Sequence, residues 1–120
     1  MKVITREFNM ATVDSGIYWK SSEPERGKFV LCWTDQNVAF AKARNLVIRG
    51  HPLVWGDNSN SWDSRPDWVA NGHFTRDEWI GILRNHVTQI VSHYQGQMRE
   101  WSVVNELDPR GLLETNIGPE

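Results

Sequence analysis

A chain of 120 residues is long enough to bury a core if its elements close on one another. Hydrophobic residues at 39% and charged residues at 23% lie near globular values, which excludes a disordered chain of low hydropathy and high charge. A formal charge of -2, from 13 basic and 15 acidic residues with no basic run, leaves no electrostatic footprint for nucleic acid or an anionic membrane and favours a neutral partner.

The N-terminus lacks the apolar core of a signal peptide, and no later apolar run is long enough to span a bilayer. The first predicted element is a short buried strand from Phe8 to Val13, ending at Asp14 and Ser15. A long irregular stretch follows, carrying the turn formers Ser21, Ser22, Pro24 and Gly27. Cys32 is alone, so neither an internal disulfide nor a cysteine metal cluster is expected. Thr34 is the expected N-cap of a helix over Asp35 to Arg44, with Val38 and Ala41 on one face, Asp35 near the positive end and Asn45 closing it. Leu46 to Ile48 form a second buried strand that runs into Gly50, His51, Leu53, Val54 and Trp55.

A polar loop is expected from Gly56 to Arg65. Thr75 and Glu78 then fit a capping box, ahead of Trp79, Leu83, Val87, Ile90 and Tyr94 at helical spacing, with Gly96 as the C-terminal cap. His86 and His93 lie on this helix and read as structural. A third apolar run, Trp101 to Val104, ends abruptly at Asn105 and Glu106. Strands alternating with helices define an α/β class with parallel strands and crossover helices.

In such units the functional residues collect where strands end and loops open onto a common mouth. The three strand ends supply Asp14 and Ser15, then His51 and Trp55, then Asn105 and Glu106. Glu106 reads either as an exposed carboxylate opening a loop or as an acid able to protonate a glycosidic oxygen. Seven tryptophans point weakly to carbohydrate, since most indoles serve cores but an exposed one stacks on the flat C–H face of a sugar ring. No His-Glu-x-x-His and no third ligand at metal spacing is present, so no metal site is expected.

The stretch Arg49-Gly50-His51-Pro52-Leu53-Val54-Trp55 resembles the motif R-G-H-T-L-V-W of family 10 glycoside hydrolases, the endo-1,4-β-xylanases. Trp101-Ser102-Val103-Val104-Asn105-Glu106 resembles their W-D-V-V-N-E, which holds the acid/base. The likeness extends to Arg6-Glu7-Phe8-Asn9, Ser22-Glu23-Pro24 with Gly27 and Phe29, Phe40-Ala41-Lys42, Asn85-His86, Tyr94-Gln95-Gly96 and Gly118-Pro119-Glu120. It implies part of a (β/α)8 TIM barrel over residues 1–120, the second to fourth β/α units, incomplete at both ends. By the same resemblance Glu106 is the general acid/base, Asn105 binds the sugar 2-hydroxyl, His51 binds a hydroxyl of the ring being cleaved and Trp55 walls that subsite. A secreted enzyme acting on xylan without a cofactor is implied, as is self-association or a complementing chain while the barrel is incomplete.

The departures are as informative. Where the family reads T-P-E-N-E-M-K-W after the first of these strands, this chain has Thr12-Val13-Asp14-Ser15-Gly16-Ile17-Tyr18-Trp19, so Asp14, Ser15 and Tyr18 replace the sugar-binding Glu, Asn and Lys. Gly56 stands where a His follows the tryptophan. Two other readings fit these changes: a degenerate or non-catalytic carbohydrate-binding domain, and a related barrel glycosidase cleaving β-glucan.

Overall fold

The computed structural model describes residues 2–55 and 64–106. Its elements run in chain order α1 (Lys2–Glu7), β1 (Met10–Val13), α2 (Trp19–Ser22), α3 (Cys32–Lys42), β2 (Val47–Gly50), β3 (Val54–Trp55), α4 (Asp67–Ala70), α5 (Arg76–His93), β4 (Glu100–Trp101) and β5 (Val104–Asn105). All named pairings are parallel. One sheet has the order β1-β2-β4 and a second pairs β3 with β5, the arrangement expected of consecutive β/α units in a barrel.

Several boundaries differ from the sequence expectation, each for a local reason. Phe8 is exposed and ends α1, its N–H donating to Ile4 O at 3.1 Å, so the first strand begins only at Met10. Thr34 is not a cap. The helix starts at Cys32, because the Leu31 carbonyl already accepts the N–H of Asp35 at 2.8 Å, and Thr34 lies inside the first turn, fully buried. Gly16 packs there so closely that a Cβ on it would stand 2.7 Å from Thr34 Oγ1. Asn45 closes the helix in the left-handed region with φ 54°, a conformation its short polar side chain tolerates.

The second and third apolar runs each split in two. His51, Pro52 and Leu53 separate β2 from β3, and Pro52 brings no N–H to a ladder. Ser102 and Val103 likewise separate β4 from β5, whose Val104 is about half exposed. Gly50 sits where β2 and β4 meet, and a Cβ there would lie 2.5 Å from Trp101 Cζ3, so only glycine lets the indole cross the strand. Of the expected polar loop, residues 56–63 lie outside the described region, while Ser64 and Arg65 are buried.

The expected capping box of α5 is complete: the Thr75 hydroxyl accepts Glu78 N–H, and the Glu78 carboxylate accepts Thr75 N–H at 2.8 Å. Its buried stripe is Trp79, Ile82, His86 and Ile90, with Leu83 and Val87 packed at the margin. The stripe is thus turned slightly from the predicted one and centred on a histidine. Asp35 of α3 ties the two helices together, its Oδ1 accepting Tyr94 O–H at 2.9 Å and lying 2.8 Å from His93 Nε2. Burial, followed by that hydrogen bond and the charge of Asp35, holds the Tyr94 phenol protonated well above its ordinary range.

Candidate active site

Register fixes which side chains meet. Val13 pairs with Gly50, so Asp14 and His51 leave the sheet at one level, and the His51 N–H donates to Val13 O at 2.9 Å. Trp55 pairs with Asn105, which brings the following residue, Glu106, beside the indole. Trp55 Nε1–H donates to Glu106 Oε2 at 2.7 Å, within the range of a charge-assisted hydrogen bond. Glu106 is exposed and holds φ 46°, an uncommon conformation for a residue with a side chain and one that costs on the order of 1 kcal/mol or more.

Tyr18, the N-cap residue of α2, meets the same indole, with ring centroids 5.4 Å apart and planes at 70°. Its hydroxyl is pushed above the ordinary phenol range by burial and then by the negative charge of Asp14, so it remains a hydrogen-bond donor. Asp14 is exposed, and its Oδ1 accepts the N–H of Ser15. Asn105 is half-buried beside Trp55 in register. His51 is half-buried at the end of β2, and its Nδ1 is enclosed with no hydrogen-bond partner among the described residues. The fold therefore joins Trp55, Glu106 and Tyr18 by direct contact, Asp14 to Tyr18 by charge, and Asn105 and His51 through the backbone ladder. Among the described residues no group of three or more His, Cys, Asp or Glu side chains could hold a metal ion.

Beneath this surface lies a polar cluster that residue spacing did not disclose. The Glu23 carboxylate accepts Trp19 Nε1–H at 3.0 Å and Gly27 N–H at 2.8 Å, and lies 2.8 Å from His86 Nδ1. His86 Nε2 is 3.1 Å from the Leu53 carbonyl. Glu23 and His86 stand 63 positions apart; the sequence shows His86 as a structural helix residue and Glu23 as part of the quoted resemblance, with nothing to pair them. Arg49 Nη2 donates to Ser102 Oγ at 2.5 Å, joining β2 to the segment between β4 and β5.

Parallel strands joined through helices, with a carboxylate, an indole and a phenol gathered beyond the strand ends, form a portion of a (β/α)8 barrel. A family profile described as Glycosyl hydrolase family 10 matches residues 1–113, and the chain belongs to that family. It is 37% identical over 102 residues to an endo-1,4-beta-xylanase of Agaricus bisporus, an alignment covering 85% of this chain and 29% of that protein. It is 36% identical over 99 residues to endo-1,4-beta-xylanase A of Phanerodontia chrysosporium, covering 82% and 23% respectively. Among solved structures, xylanase 10B from Thermotoga petrophila in complex with xylobiose superposes with a TM-score of 0.84 at 30% identity, over 98% of this chain and 36% of that one. The chain thus spans less than a third of the length of the two curated relatives.

Proposed function

We propose that this chain supplies the acid/base half of a retaining endo-1,4-β-xylanase that cleaves β-1,4-xylosidic bonds in xylan. The observation that carries the reading is the Glu106 carboxylate at a strand end, hydrogen-bonded to Trp55 in a chain whose relatives are endo-1,4-beta-xylanases. In this chemistry one carboxylic acid protonates the departing glycosidic oxygen while a second carboxylate, about 5 to 5.5 Å away, attacks the anomeric carbon; the first then activates water as a base. Glu106 takes the first role. Trp55 holds that carboxyl group in place and offers an apolar wall to the sugar, while Asn105 and His51 bind hydroxyls beside it. Tyr18 and Asp14 line the neighbouring subsite, replacing the family's Glu, Asn and Lys there together with Ser15. The substrate is the xylan chain, and the enzyme is secreted.

Glu106→Gln in a completed barrel tests the reading. Loss of general-acid assistance is worth roughly 10²- to 10⁴-fold. Activity on xylan should fall by that order, while an aryl xylobioside, whose leaving group needs no proton, should lose far less in its first step. Full activity of the variant on xylan would remove Glu106 from the role. A polysaccharide panel in which β-glucan is preferred to xylan would transfer the reading to the related β-glucan-cleaving glycosidases.

A further inference from the structure

Two ionisable side chains take no part in the chemistry proposed above, yet both are buried: Glu23 is 2% exposed and His86 0%. Every hydrogen-bonding position of the imidazole is used. Nε2 faces the Leu53 carbonyl oxygen, which can only accept, so this nitrogen carries a hydrogen. Nδ1 faces Glu23 Oε2, which also takes the indole N–H of Trp19, while Oε1 takes the N–H of Gly27. A buried carboxyl group receiving N–H donors on both oxygens is held ionised, which places a hydrogen on Nδ1 as well. Hydrogens on both nitrogens would make the ring a cation, and it stacks on Trp19 with centroids 4.4 Å apart and planes at 24°, a geometry that suits a cation over an indole face.

The atom that this cation holds is the significant one. Leu53 lies midway between His51 and Trp55, and the peptides on both sides of it are held: its N–H donates to Ser102 O at 3.0 Å, and its carbonyl receives His86. The next amide, Val54 N–H, donates to Val103 O at 2.9 Å and begins the strand that delivers Trp55 to Glu106. Releasing the Leu53 carbonyl would leave a buried acceptor unpaired and leave the Leu53–Val54 peptide plane held by the Val54 N–H alone.

We infer that His86, held doubly protonated by Glu23, is a positioning residue that anchors the Leu53 carbonyl and thereby sets Trp55 against the Glu106 carboxylate. The inference rests on the reading of Trp55 and Glu106 as site residues, but its observables do not depend on turnover.

Nuclear magnetic resonance on the isotopically labelled 120-residue chain tests it. Long-range imidazole correlations should show both nitrogens of His86 protonated at neutral pH, and a scalar coupling should be detectable across the hydrogen bond from Nε2 to the Leu53 carbonyl carbon. One bare nitrogen, or a sharp Nε2–H signal without that coupling, overturns the inference. In His86→Phe, which keeps an aromatic ring on Trp19 but offers no donor, the Trp55 indole N–H resonance should shift upfield as its bond to Glu106 loosens. An unmoved Trp55 resonance in a folded His86→Phe chain means that the buried pair serves stability alone. Should that variant not fold, the two signals of the unaltered chain decide. A failure of Glu106 as the acid would leave all of these signals in place.

Discussion

Glu23 carries a negative charge where water does not reach, and its behaviour with pH follows from that. Burial by itself raises its pKa, but hydrogen bonds from His86, Gly27 N–H and Trp19, with the positive charge opposite, outweigh burial and hold the carboxyl below the usual carboxylate range. In the unfolded chain it returns to an ordinary value of about 4. The unfolded state then binds the proton more readily, so the stabilisation is fully present above that value and is lost as pH falls toward the lower folded pKa. Urea unfolding midpoints should therefore drop between pH 6 and pH 3, and Glu23→Gln should flatten this slope. An equal slope in the variant would place the acid sensitivity in other carboxylates. The placement of Glu106, Asn105, His51 and Trp55 at strand ends was legible, because each stands in a contiguous run where a strand meets a polar turn, whereas the roles proposed for them come from the family resemblance. Glu23 and His86 were not legible as a pair, since two residues 63 positions apart announce nothing about each other through local spacing.

Among the elements, α5 is the one most completely written in local chemistry. Its first turn depends on Thr75, whose hydroxyl accepts the N–H of the third helical residue. Thr75→Ala should cost about 1 kcal/mol in chemical denaturation, and Thr75→Ser should restore most of it. No change with alanine would mean that packing of the apolar stripe alone fixes the start of the helix. That helix was legible because a cap and a 3.6-residue period are properties of neighbouring residues. The start of α3 misled because Thr34 has the chemistry of a cap but lies buried within the first turn, a distinction made by packing against Gly16 and not by the residue type. The splitting of the apolar runs was equally hidden, since β4 and β5 follow from which strands they meet, β2 and β3, far back in the chain. The one-turn helices α2 and α4 carry too few residues to show a period.

For the molecule as a whole, the unpaired edges decide the expectation. Among the described residues β1 and β4 each pair on one side only, and Phe8, Met10, Val103 and Val104 are exposed nearby. Open strand edges beside apolar side chains invite pairing with another chain. A closed barrel of this class takes about 250 residues, and the family nucleophile is expected on a later strand. The later acidic residues Asp108, Glu114 and Glu120 lie outside the described region. The purified 120-residue chain should therefore give no turnover of xylan or an aryl xylobioside and should scatter light as an oligomer. A monodisperse monomer with activity that disappears in Glu106→Gln would overturn this. The hydrogen bond between Trp55 and Glu106 also bears on how the chain is made. Its two ends are 51 positions apart and meet only through parallel pairing, which has no hairpin precursor. At ribosomal speeds of about 5 to 20 residues per second, Trp55 is synthesised roughly 3 to 10 s before Glu106. Throughout that interval the amides of Leu53 and Val54 lack the carbonyls of Ser102 and Val103 that later receive them, so the nascent chain carries its strand-forming turn open for seconds before the site can close on it.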